Sequence, residues 1–75
     1  MIYCFYTIVS VKGNSVIVSE PYSQNYSMSV LCDKARSLSL EYLDTFVSIY
    51  KHFIQVPRST KLLYRFIDGK LVKYE

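Results

Sequence analysis

The sequence predicts an α+β domain: a four- to five-stranded, mostly antiparallel sheet with a single helix on one face, in the order β-β-α-β-β-β. Three observations lead there. Only Met28 to Tyr42 carries a helical period, with Met28, Leu31, Ala35, Leu38 and Tyr42 on one seam and Asp33, Lys34, Arg36, Ser37 and Glu41 on the other faces. Nearly everything else is β-branched, aromatic or alternating. Asp68-Gly69 separates two apolar runs, and a type I′ hairpin turn needs positive φ at both central positions.

The 75 residues form one domain, residues 1–75, because a chain this short buries only about 60% of its unfolded surface and cannot support two cores. At 51% apolar, with eight Tyr and four Phe, it collapses rather than remaining disordered.

Ile2 to Val11 reads as the first strand, with Tyr3, Phe5, Thr7, Val9 and Val11 on one side and Ile2, Cys4, Tyr6, Ile8 and Ser10 on the other. Both sides are largely apolar, which places this strand inside the sheet or under a partner. Lys12-Gly13-Asn14 is a turn, and Ser15 to Glu20 the second strand. Pro21 is expected to interrupt the ladder and open a polar loop, Pro21 to Ser27. Ser27 or Ser29 caps the helix, without a Glu or Gln to complete a capping box. Neither Gly nor Pro marks its end between Leu38 and Asp44.

Thr45 to Val56 suits a long strand whose twelve residues call for a bend or bulge near Lys51 and His52. Pro57 to Thr60 is a turn. Leu62 to Ile67 and Lys70 to Tyr74 form the last hairpin, with Phe66 opposite Leu71, Tyr64 opposite Lys73, Arg65 opposite Val72 and Leu63 opposite Tyr74. One helix about 10 Å across covers roughly two strands spaced about 4.8 Å apart, so much of the sheet should stay uncovered.

Charge is uneven. Residues 1 to 44 carry three basic and four acidic groups, a balance of −1, and residues 45 to 75 carry six basic and two acidic, a balance of +4. The positive potential belongs to the C-terminal half. Cys4 and Cys32 are too few for a disulfide framework and read as free thiols in a reducing compartment. No segment approaches the roughly 20 apolar residues of a membrane span, and Met1 to Val11 lacks the basic start and cleavage site of a signal peptide. An intracellular location follows as an expectation, and the sequon Asn25-Tyr26-Ser27 would then be idle.

Chemistry is sparse. His52 has no carboxylate at a useful spacing, and Cys4, Cys32 and His52 lack zinc-ligand spacing. Gly13 and Gly69 fit turns rather than a phosphate loop, and Glu41 and Asp44 read as solvating the helix end. No catalytic residue, metal or cofactor is expected.

One feature remains: Lys51, Arg58, Lys61, Arg65, Lys70 and Lys73 interleave with Tyr50, Phe53, Tyr64 and Tyr74. Basic groups beside aromatic faces suit single-stranded nucleic acid. They also suit protein recognition, where Tyr and Arg are enriched, and lysines on strands deter edge aggregation. The expected partner-binding set is Lys51, Arg58, Lys61, Tyr64, Arg65, Lys70 and Lys73, joined by Tyr22 and Tyr26 of the polar loop. Uncovered sheet area also predicts self-association.

The order of elements resembles that of some small phage-encoded anti-CRISPR proteins. The resembling parts are Ile2 to Val9, the helix through Asp33-Lys34-Ala35-Arg36-Ser37-Leu38, the strand Thr45 to Tyr50, and the hairpin Leu62 to Lys70. The resemblance implies a non-catalytic inhibitor in the host cytoplasm that docks on a CRISPR effector complex. The leading expectation is therefore an interaction module for a host protein or ribonucleoprotein complex, and the alternative is a small single-stranded nucleic-acid-binding protein.

Overall fold

The computed structural model describes residues 3–54 and 57–74, with only the backbone of Lys73 and Tyr74. It contains β1 (Cys4–Lys12), β2 (Ser15–Ser23), α1 (Met28–Glu41), β3 (Phe46–Phe53), β4 (Ser59–Ile67) and β5 (Lys70–Tyr74). The strands form one sheet in the order β2-β1-β3-β4-β5, and every neighbouring pair is antiparallel. The expected α+β architecture is therefore the observed one. Because β1 opposes both β2 and β3, those two run in the same direction on either side of it. Their connection must cross β1, and the crossing segment carries the helix.

Helix α1 begins where expected. Ser27 is the cap, its Oγ accepting from the Val30 amide at 3.3 Å. Leu31 and Ala35 bury completely against Ile8, Val47, Ile49 and Phe66, with Met28, Cys32 and Leu38 at the margin. Each of the larger core side chains contributes roughly 1.5–3 kcal/mol by leaving water. The predicted seam differs at its C-terminal end, where Ser39 is buried and Tyr42 caps the helix, its amide donating to the Leu38 carbonyl at 2.9 Å.

The helix then meets the last hairpin. Asp44 reverses the chain at φ +60°, and its amide donates to Asp68 Oδ1 at 3.1 Å. The Gly69 amide donates to Ser39 Oγ at 2.9 Å, and that hydroxyl donates to the Arg36 carbonyl at 2.7 Å. Asp68 and Gly69 both have positive φ, 51° and 78°, as the two-residue turn requires.

Several expected boundaries are corrected. Strand β2 runs through Pro21 to Ser23, because it lies at the sheet edge, where a proline's missing amide can face away from the ladder. The polar loop therefore shrinks, and Tyr22 stands on a strand. Strand β3 stops at Phe53 and is regular at Lys51 and His52. The expected continuation to Gln55 and Val56, like Ile2 in the first strand, falls outside the described residues. The bulge lies on the partner strand: Ile49 faces Tyr64 and Tyr50 faces Leu62, leaving Leu63 as the extra residue. Ser59 and Thr60, expected in a turn, already belong to β4. In the last hairpin Phe66 faces Leu71 as expected, but Val72 is also an extra residue, so Arg65 faces Lys73 and Tyr64 faces Tyr74.

Candidate functional site

The helix packs over β3 and β4, touches β1, and lies on one side of the sheet only. Side chains alternate along a strand, so the residues between the buried ones stand on the opposite, open side. In β1 these are Phe5, Thr7, Val9 and Val11, and in β3 Phe46, Ser48, Tyr50 and His52. In β4, Thr60, Leu62 and Arg65 join them by register, and on β5 Lys70 follows, with the backbone position of Lys73 opposite Arg65.

His52 is the best-anchored residue of this face. Its Nε2 lies 2.8 Å from Thr7 Oγ1 and its Nδ1 3.1 Å from Thr60 Oγ1, so hydroxyls on two neighbouring strands hold both edges of the ring. Phe5 stacks on it with centroids 4.6 Å apart and planes 14° apart, and Tyr50 tilts toward it at 6.4 Å. Arg65 is fixed in a similar way. Its Nε donates to Ser48 Oγ at 2.9 Å, and its guanidinium lies 5.7 Å from the centre of the Phe46 ring. Phe46 remains 46% exposed.

The described carboxylates gather away from the open face, while cations stand on both sides of the sheet. Glu20 shares the helix side of β2 with Tyr22, Asp33 and Glu41 lie on the helix, and Asp44 and Asp68 meet at its C-terminal end. Among the described residues no carboxylate stands within the open face.

The expected partner-binding residues do not form one surface. Arg65, Lys70 and the backbone position of Lys73 share the open face, and Arg58 stands at its edge. The side chain of Lys73 lies outside the described residues. Lys51 and Lys61 face each other on the helix side, where the Lys51 ammonium lies 5.0 Å from the Phe53 ring centre. Tyr64 is packed against the core, and Tyr22 also faces the helix, with Tyr26 edge-on to it at 5.1 Å. The bulge at Leu63 explains part of this separation. In a regular strand Lys61 and Arg65 would share a face; the extra residue sends Lys61 to the helix side and brings Thr60 to His52.

The sequence reading missed Phe5, Thr7, Phe46, His52 and Thr60 as members of one site. Alternation from Phe46 to His52 was the available signal for β3. Nothing local marked the bulge that aligns Thr60.

Two concavities flank the sheet. A cavity of about 230 Å³ opens at the end of the open face, lined by Phe5, His52, Phe53, Ile54, Arg58, Ser59 and Thr60. A wider groove of about 450 Å³ lies between β2 and the helix, lined by Glu20, Tyr22, Asp33, Lys34, Ser37 and Leu38. There the Tyr22 hydroxyl donates to Glu20 Oε2 at 2.7 Å. Burial, the hydrogen bond to Glu20 and the nearby Glu20 charge push its phenol up to about 12.

Reactive groups are few. Cys4 and Cys32 are free thiols, and burial pushes the Cys32 thiol above its ordinary value despite the opposing pull of Arg36. That shift disfavours the nucleophilic thiolate. Among the described residues no group of three His, Cys, Asp or Glu could hold a metal ion, and no helix is long and apolar enough to cross a membrane. No protein-family model, curated protein or solved structure matches the chain.

Proposed function

We propose that this protein is a non-catalytic binding module whose open sheet face takes single-stranded nucleic acid, free or within a ribonucleoprotein complex. The carrying observation is the pairing of aromatic rings with positive charge on a face where no described residue is a carboxylate. Phe5, Phe46, Tyr50 and His52 provide stacking surfaces, while Arg65 and Lys70 stand on the same side. Base stacking supplies roughly 1–3 kcal/mol per base, and cations track the backbone. The two free thiols fit a reducing compartment.

Titration of a labelled single-stranded oligonucleotide across a salt series tests this reading. Three phosphate contacts, from Arg58, Arg65 and Lys70, predict a slope of log affinity against log salt of about −2. Phe46→Ala and Tyr50→Ala should weaken binding, whereas Lys61→Ala on the helix side should change it little. Negligible binding at low salt would defeat the proposal.

A second reading is favoured by Phe46, exposed beside the neighbouring Val11, because interfaces centre on an apolar patch with a polar rim. On this reading the same face docks a host protein, as a phage-encoded inhibitor of a nucleic-acid-handling complex would. Binding to a protein partner that survives nuclease treatment and high salt would favour it.

A further inference from the structure

The cavity at the end of the open face differs from the flat surface beside it. The stacked rings of Phe5 and His52 form one part of its wall, Phe53 and Ile54 line its end, and Arg58, Ser59 and Thr60 supply a guanidinium and two hydroxyls. Among the described residues no carboxylate lines it. At about 230 Å³ it falls short of the roughly 300–1,000 Å³ that drug-sized ligands occupy, so it suits a fragment with one planar group. The His52 ring is already held by Thr7, Thr60 and Phe5, so little rotamer freedom remains to be lost when a second ring packs on this wall.

We propose that this cavity takes one unstacked base, with the adjoining phosphate against Arg58 and the hydroxyls of Ser59 and Thr60. The proposal rests on the nucleic-acid reading of the open face and adds a pocket that reads a single nucleotide. A planar base meets the rings, and the phosphate meets the cation. Neither a bare anion nor an uncharged aromatic uses both halves.

Amide NMR spectra recorded with adenosine monophosphate, adenosine and inorganic phosphate separate these cases. The monophosphate should shift the amides of Phe5, His52, Phe53, Ser59 and Thr60 saturably, and each half alone should bind about tenfold more weakly. Ser59→Trp, at an exposed position, fills the cavity and should abolish those shifts and weaken an adenine homopolymer about tenfold. Arg58→Ala, just before β4, should weaken the monophosphate without changing the fold, and serves if the tryptophan variant does not fold. Equal binding of inorganic phosphate and the monophosphate would overturn the proposal. Unmoved cavity amides, while the homopolymer still binds and Phe46→Ala weakens it, would overturn the pocket alone. Failure of the homopolymer to bind at low salt would overturn both the pocket and the face.

Discussion

The Gly69 amide donates to Ser39 Oγ at 2.9 Å, joining the last turn of the helix to the tip of the β4–β5 hairpin across thirty positions of sequence. Ser39 is fully buried and Gly69 half-buried, so loss of the hydroxyl removes the amide's partner at a site with restricted access to water. Ser39→Ala should cost about 1–3 kcal/mol in denaturant unfolding. Gly69→Ala should cost about 1–2 kcal/mol for the left-handed backbone, and its new Cβ would also lie 2.7 Å from Leu40 Cδ2. Adding Leu40→Ala should recover the steric part and leave the backbone part. Full recovery in the double variant would show that φ +78° carries no strain.

Ser10 presents the opposite case. It is fully buried between Val18 and Val47 in the sheet register, and its Oγ has no hydrogen-bond partner among the described residues. Ser10→Ala removes that unsatisfied hydroxyl at little cost in volume and should stabilise the fold by about 1 kcal/mol. A lower unfolding midpoint for the variant would contradict this.

Tyr22 should make stability depend on alkaline pH. Its phenol is raised from 10.0 to about 12 in the folded chain, first by burial and then by Glu20, so the folded state holds the proton more tightly than the unfolded state. The contribution is fully present below pH 10.0 and lost as pH rises toward about 12. Tyrosinate absorbance should show one late-titrating group. Glu20→Gln should lower its midpoint only part of the way, because burial is the larger cause. A return to 10.0 in that variant would assign the whole shift to Glu20.

Self-association should follow the same charge pattern. Two copies meeting through their open faces would bring Arg65 and Lys70 of one toward those of the other, with no carboxylate among the described residues of either face to offset them. The edges also discourage pairing, since β2 contains Pro21 and an extra residue at Ile17, and β5 has Lys70 and an extra residue at Val72. Sedimentation should show a monomer at low salt, with association appearing only as salt screens the repulsion. A dimer that dissociates as salt rises would refute this arrangement.

Element type and order were legible because local chemistry sets them: the seam through Leu31 and Ala35, the Ser27 cap and the Asp68-Gly69 turn each act within a few residues. The surplus of strand over helix was legible for the same reason, and with it the open face. Which side chains share that face was decided by tertiary structure. Pro21 remains in a strand because β2 lies at the edge, and the extra residue at Leu63 exchanges Lys61 for Thr60 beside His52. A one-residue shift in pairing moves side chains to the opposite side of a sheet, and that shift depends on strands distant in sequence. Local alternation could therefore describe each strand but could not assemble the surface.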